Sequence, residues 1–372
     1  MAAPATTPPS STRSSSRLAA GAPNALTAGQ LPTWLPWALL VVSLGLASAV
    51  FTILNFGGDA RDFNIAGTIF FGFVVFAVAL VILSTIVESG RRAKDRLATV
   101  LVSFAFTLAL IPLISLLYTV VIDGITRFDI TFFTWTMRNV VGEGGGAVHA
   151  IWGTLLITLT AAVISVPIGL LTSIYLVEYG RGRLARAITF FVDVMTGIPS
   201  IVAGLFIVAL FTLIIGPGRY MGIMGALSLT VLMIPVVVRS SEEMLRLVPN
   251  ELREASYALG VPKWLTIAKV VLPTAIAGIT TGIMLSISRV IGETAPLLLT
   301  AGFTTSLNLN LTDQPMMTLP VFVYTQFQNP GTNIEAALGR AWAGALTLIL
   351  IVMVLNLVAR FIAKKFAPKF GR

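Results

Sequence analysis

The sequence of 372 residues contains no cysteine, and this absence excludes disulfides, thiol catalysis and thiolate metal sites. It contains one histidine, His149, and a single imidazole is too few for the usual histidine-based metal cluster. We expect His149 to be an interfacial, aromatic-like residue at the outer mouth of a membrane span. The sequence therefore predicts no metal site.

Charged residues are also scarce, at 11% of the chain, whereas soluble domains carry about 25%. Hydrophobic residues make up 56%, and the mean hydropathy is +0.91. Apolar runs long enough to cross a hydrocarbon core of about 30 Å recur along most of the chain. Because these runs are continuous rather than alternating, they predict helices and not barrel strands. The chain is therefore predicted to be an all-α integral membrane protein.

The predicted spans cover most of the sequence after residue 33. They are residues 34–54, 65–87, 97–121, 149–177, 187–215, 222–239, 273–301 and 340–363. The longest pieces between them, 122–148, 240–272 and 302–339, are too short to build an independent core. The sequence also has no Gly-Lys dipeptide, so it lacks the phosphate-cradling loop that ends in Gly-Lys. If this chain moves a solute against a gradient, another subunit must supply the energy.

Basic residues gather in alternate loops, and this asymmetry predicts the topology. They are Arg91, Arg92, Lys94, Arg96, Arg181, Arg183, Arg186, Arg246, Arg253, Lys263, Lys269, Lys364, Lys365, Lys369 and Arg372. By the positive-inside rule these loops are cytoplasmic, and eight spans place both termini inside. The net charge of +9 is dispersed among loops, which argues against a nucleic-acid partner.

Several segments outside the spans have a distinctive composition. Residues 1–33, rich in Ala, Pro, Ser and Thr, are expected to be a disordered cytoplasmic tail, and residues 366–372 a basic cytoplasmic tail. The glycine-rich stretch at 142–146 has no preceding strand and is expected to be a flexible outside linker. The apolar part of 302–339, PMMTLPVFVY, predicts either a re-entrant cap or a docking surface.

The polar passage between the sixth and seventh spans has the pattern of two short amphipathic helices. Asn250 is expected to be the N-cap of the first, with Glu251 and Glu254 in its first turn and Gly260 as its left-handed stop. Leu252, Ala255 and Leu259 share one face of that helix. The second helix has an apolar stripe of Trp264, Ile267, Ala268 and Val271. Such a pair either docks into a partner or lies in the membrane interface.

The spacing of Glu254-Ala255, Leu259-Gly260, Ile267 and Leu272-Pro273 resembles the "EAA" loop of permease subunits of ABC importers. The resemblance implies a coupling helix that sits in a groove of a cytoplasmic ATPase subunit. The coupling residues that the resemblance implies are Glu254, Ala255, Leu259, Gly260 and Trp264.

Three longer stretches resemble the phosphate-specific importer permeases of the PstA type. They are DVMTGIPSIVAGL (193–205), VPNELREASYALG (248–260) and ISRVIGETAPLLLTAG (287–302). The resemblance implies a six-helix, MetI-like ABC importer permease core over 97–365, with the EAA loop at 240–272 and two accessory transmembrane helices at 34–87. It also implies a related phosphate permease as partner, an ATPase subunit dimer that carries ATP and Mg, and an extracytoplasmic phosphate-binding protein.

An anion crossing the membrane needs positive charge or oriented dipoles along its path. Arg289 lies about 24 Å along its helix from Pro273 at about 1.5 Å per residue, and Glu293, four residues on, is expected on the same helical face. The two residues either form a structural ion pair or line the pathway, where Arg289 attracts the anion and Glu293 moderates it. Arg239 either lines the inner exit or anchors its span to headgroups. Pro296 either opens the helix or only kinks it.

From the resemblance and the predicted spans we expect a non-catalytic permease subunit that imports inorganic phosphate across the bacterial plasma membrane. Two alternatives stay open from the residues, a permease for another oxyanion and an ATPase-independent secondary transporter or channel.

Overall fold

The computed structural model describes residues 31–54, 64–88 and 90–366, and these form fourteen α-helices and two π-helical turns. In chain order the helices are α1 (Leu35–Leu54), α2 (Ile65–Val87), α3 (Gly90–Ile125), α4 (Ile130–Thr134), α5 (Val148–Ile174), α6 (Gly182–Thr196), α7 (Ser200–Ile215), α8 (Gly222–Arg246), α9 (Asn250–Ala258), α10 (Lys263–Thr266), α11 (Leu272–Val290), α12 (Ala295–Thr300), α13 (Leu319–Gln328) and α14 (Ile334–Phe366). The π-turns are Tyr175–Tyr179, after α5, and Ile267–Val271, before α11.

Seven helices in the described ranges are long and apolar enough to cross a membrane, and the bent pair of α6 and α7 adds an eighth passage if it is counted as one span. Two of these, α1 and α2, precede the rest. The predicted architecture is confirmed: an all-α membrane protein with a six-span core, preceded in the sequence by two extra spans.

Two predicted spans are not continuous helices. The span expected at 187–215 is α6 and α7, which meet at an angle of 109°. Pro199 has no N–H to continue the helical ladder and disfavours helical backbone at the residue before it, so the chain turns there. The span expected at 273–301 ends at Val290, and α12 begins only at Ala295.

The described residues form two compact units, which divide between Ile114 and Ser115. Most of the predicted disordered tail (1–30 of 1–33) and most of the predicted basic tail (367–372 of 366–372) lie outside the described residues.

A buried carboxylate organises the first unit where α2 ends. Glu88 accepts hydrogen bonds from Arg96 at 2.7 and 2.8 Å, from the Ser84 hydroxyl at 2.7 Å and from the Leu31 backbone N–H at 2.8 Å. The hydrogen bond from Arg96 lowers the pKa of Glu88 to about 2. Glu88 is therefore ionised and paired at any pH the cell meets.

Helix α8 is the centre of the second unit, and α5 packs along it. Ile157 and Ala161 of α5 and Leu229 and Met233 of α8 are fully buried in one core cluster. Gly169 lies so close to Val237 that no larger residue fits there without movement. Small residues at such contacts let membrane helices approach closely.

The apolar part of the outer segment 302–339 packs inside the second unit. Met316, Met317, Leu319 and Phe322 are buried, and the Leu319 backbone N–H donates to the Thr154 hydroxyl of α5 at 2.7 Å. Its apolar residues face the protein interior, which favours a cap rather than a docking surface for this part.

His149 is buried beneath that segment, which corrects the interfacial position expected for it. Its ring is 1% exposed and stands edge-on to Phe322, with centroids 5.7 Å apart. Neither ring nitrogen has a hydrogen-bond partner among the described residues. The ring packs as an aromatic core residue, so its aromatic-like character is as expected and its position is not.

The glycine-rich stretch is not the flexible linker that was expected. Arg127 donates to the Gly145 carbonyl at 2.9 Å, and Arg340 donates to the carbonyls of Gly142 and Gly144 at 2.8 and 3.1 Å. Three of its glycines have positive φ, so they adopt the left-handed turns that these contacts require. Two arginines far apart in sequence therefore hold the loop in place.

Candidate functional site

The passage after α8 folds as an elbow, which we define as residues 248–271: α9, a corner at Gly260, α10 and the second π-turn. Gly260 has φ +77°, which confirms its role as the left-handed stop of α9. The predicted N-cap is wrong by one residue, because Pro249 is the cap and Asn250 begins the helix. The Asn250 side chain instead accepts a hydrogen bond from Arg253 at 3.3 Å.

The elbow turns its polar residues inward. In α9 the buried residues are Arg253 and Ser256, and the Ser256 hydroxyl shares a hydrogen bond of 2.8 Å with the Thr266 hydroxyl of α10. This contact fixes the angle between the two short helices. On the predicted apolar face, Ala255 and Leu259 are exposed, whereas Leu252 is half-buried and packs against the core cluster that includes Leu245 and Val271.

The structure brings the predicted coupling residues together on the outer surface of the elbow. All five are exposed: Glu254, Ala255, Leu259, Gly260 and Trp264. Leu259 is 83% exposed and Trp264 is 64% exposed. Large apolar side chains this accessible mark a protein or a membrane interaction surface, which are the two alternatives that the sequence leaves open.

A buried ion pair that the sequence did not predict holds the elbow from beneath. Arg253 donates to one carboxylate oxygen of Glu178, which lies in the π-turn after α5, at 2.9 and 3.0 Å. Lys263 donates to the Glu178 backbone carbonyl, and its ammonium group lies 4.7 Å above the Tyr179 ring. The only sequence signal was an isolated carboxylate at the end of a span, 75 positions from its partner.

Arg289 and Glu293 do not share a helical face, so that prediction is wrong. Arg289 lies in the last turn of α11, whereas Glu293 lies in the break before α12 and its N–H donates to the Val290 carbonyl at 3.1 Å. Gly292 weakens the helix, and Pro296 can neither donate to residue 292 nor fit against its carbonyl. Among the described residues, no hydrogen bond or ion pair joins the two side chains.

The face of α11 that carries Arg289 is open. Thr281, Leu285 and Arg289 follow one another at four-residue spacing and all are exposed, while Glu293 is half-buried. An arginine in a membrane span is costly against lipid, so an exposed one indicates a polar path or a covering subunit.

Arg239 has two carboxylate partners in the second unit. It donates to Asp193 of α6 and, at 2.9 Å, to Glu242 one turn further along α8. Glu242 is buried and also accepts from Arg246 at 2.6 Å. This arrangement joins α6 to α8, a role that neither of the two interpretations of Arg239 included.

Gly204 of α7 packs directly on Pro296 of α12, and small residues allow helices to approach this closely. Helix α12, which follows the break in the seventh span, therefore packs on α7 of the bent fifth span.

Residues 165–372 match the family model described as "Binding-protein-dependent transport system inner membrane component". The chain belongs to this family. Members of the family that are similar over most of the chain include "Phosphate transport system permease protein PstA 1" of Mycobacterium tuberculosis (strain CDC 1551 / Oshkosh), 49% identical over 283 residues, or 74% of this chain and 91% of that protein. The PstA of Mycobacterium leprae is 47% identical over 74% of this chain and 91% of its own length. The PstA of Yersinia pestis is 39% identical over 75% of this chain and 92% of its own length. The resemblance to PstA permeases is confirmed.

A solved structure supports the fold. It is the crystal structure of a bacterial alginate ABC transporter in complex with its alginate pentasaccharide-bound periplasmic protein. One chain of that structure matches the present protein with a TM-score of 0.54, and the match covers 75% of the present protein and 97% of the alginate transporter chain. The two share 14% sequence identity, so the likeness concerns the fold alone. With its apolar helices, this family member is a multi-pass inner-membrane protein.

Proposed function

We propose that the chain is the transmembrane permease subunit of an ATP-driven importer of inorganic phosphate and forms half of the translocation pathway. The observation that carries this proposal is the 49% identity, over 283 residues, to a phosphate transport permease of which the chain covers 91%. Both termini are placed on the cytoplasmic side, since the basic loops, including that of Arg181, Arg183 and Arg186, alternate with the spans.

The pathway runs along the open face of α11. Arg289 is exposed there without a carboxylate partner among the described residues, so its charge is available to a passing anion. Glu293 lies in the break between α11 and α12 and limits how tightly the anion is held. A related phosphate permease covers this face, because an uncovered arginine would meet lipid. Arg239 holds α6 against α8 near the inner end of the path.

The energy comes from partners. An ATPase subunit dimer docks on the exposed surface of the elbow and carries the ATP and Mg, while this chain binds no cofactor and catalyses no reaction. An extracytoplasmic phosphate-binding protein delivers the anion at the outer side. ATP binding shifts the complex between its two states only through differential affinity for them.

Substrate identity is tested by competition. In cells whose phosphate uptake depends on this chain and its partners, we expect a large excess of unlabelled phosphate to abolish uptake of labelled phosphate. Molybdate or sulfate at the same excess should leave it unchanged, because a site built for one anion's shape and hydrogen-bonding groups rejects others. Suppression by molybdate or sulfate to the same degree as by phosphate would assign the chain to another oxyanion.

A further inference from the structure

Arg253 of the elbow forms hydrogen bonds to the ends of two membrane helices at once. Its guanidinium donates from Nε and Nη2 to Glu178 after α5, from Nη2 to the Leu245 carbonyl at 3.0 Å, and from Nη1 to the Val248 carbonyl at 2.6 Å. Leu245 belongs to the last turn of α8, and Val248 follows it. One side chain on α9 thus holds the ends of both α5 and α8.

The chain connects these elements unequally. Only residues 247–249 separate α8 from α9, so any movement of α9 reaches α8 through the backbone. Helix α5 has no such link, because 75 positions separate Glu178 from Arg253. The polar connection between α9 and the end of α5 is the buried pair, with side chains 11% and 5% exposed.

The geometry is that of a rigid joint. A guanidinium is a planar fork whose donors are fixed relative to one another. With the hydrogen bond to the Asn250 side chain, Arg253 makes five oriented contacts, which leave it little freedom. Glu178 lies in a π-turn, which changes the helical register by one residue and is frequent at functional sites. Truncating either partner would leave the other as a buried charge without its counterpart.

We propose that Arg253 and Glu178 are positioning residues that carry movement of the elbow to α5, and that without their ion pair ATP hydrolysis is uncoupled from phosphate transport. This inference rests on the proposed function. The pair does not touch the anion, and it is on the buried side of α9, away from the surface offered to the ATPase.

The test uses the complete complex, with partner permease and ATPase subunits, reconstituted in liposomes with the phosphate-binding protein. Phosphate uptake and ATP hydrolysis are measured together for wild type, Glu178→Gln, Arg253→Met and the double variant. We expect uptake per ATP to fall about tenfold or more in each single variant while ATP hydrolysis stays within about twofold. The uptake per ATP of the double variant should be no lower than that of the more affected single variant, because all three variants lack the same ion pair.

Two further variants sharpen the result. Arg253→Lys keeps the positive charge but lacks the planar fork. Its uptake per ATP should therefore lie between that of Arg253→Met and that of wild type. Arg183→Met is the matched control, because Arg183 is an exposed arginine in the first turn of α6, outside the elbow, and its uptake per ATP should equal that of wild type.

Three outcomes overturn the inference. One is an unchanged ratio in both Glu178→Gln and Arg253→Met. Another is a parallel loss of uptake and hydrolysis at a constant ratio. The third is complexes that no longer assemble, which would make the pair purely structural. Failure of the proposed function is visible separately, in a wild-type complex that shows no ATP-dependent phosphate uptake.

Discussion

Replacing Arg289 by glutamine should lower phosphate uptake by about tenfold or more without changing the amount of protein in the membrane. Hydrogen bonds to charged groups contribute about 1.5–3 kcal/mol, and each 1.4 kcal/mol corresponds to about tenfold in affinity or rate. Arg289 has no carboxylate partner among the described residues, so its removal leaves no buried charge behind. The measurement is initial uptake of labelled phosphate, normalised to membrane level.

The matched control for this variant is Arg360→Gln, which removes an exposed arginine from α14 and should leave uptake near wild type. Arg289→Lys keeps a positive charge and should retain more uptake than Arg289→Gln. Normal uptake in Arg289→Gln at an unchanged membrane level would remove Arg289 from the pathway.

Replacing Leu259 by aspartate should abolish the association of the ATPase subunits while the chain itself folds normally. Leu259 is 83% exposed, and substitutions at such positions usually change stability by less than about 0.5 kcal/mol. In a docked complex the same carboxylate would enter an apolar groove, where the cost is several kcal/mol per unpaired ion. Co-purification of the ATPase with the tagged chain and ATP-dependent uptake should both fall by about tenfold or more.

Leu184→Asp is the control for the charge itself, because Leu184 is an exposed leucine of α6, outside the elbow. It should co-purify the ATPase as wild type does. If Leu259→Asp retained the ATPase and supported full uptake, the exposed surface of the elbow would not be the docking site.

Hydropathy predicted the membrane spans because each one must be about 20 apolar residues long. It could not predict the bend between α6 and α7, since both arms are apolar and hydropathy carries no direction. Gly197 and Pro199 were visible in the sequence, but small residues also favour straight helix packing. The spacing of Arg289 and Glu293 has the same weakness as a predictor. Four residues apart places two side chains on one face only if the helix continues, and here it ends near Gly292, before Pro296.

The two short helices of the elbow and the corner at Gly260 could be predicted because their signal is local. These features lie within about 25 positions, and turn chemistry acts over such distances. The docking role of the coupling residues stays a prediction. The contacts beneath it could not be found in this way. Arg253 pairs with a residue 75 positions away, and Arg340 holds a glycine loop nearly 200 positions away, at Gly142. Such pairs are products of the fold, and single-sequence patterns do not contain them.

The most direct test of the central claim, that a separate motor protein moves the elbow, is phosphate accumulation in sealed vesicles containing the purified chain and its partner permease. With the ATPase subunits, the binding protein and ATP present, labelled phosphate should be concentrated inside. Without the ATPase subunits, the internal concentration should stay at or below the external one. Accumulation of phosphate against its gradient by the chain alone, with no nucleotide-hydrolysing partner in the vesicle, would contradict the account.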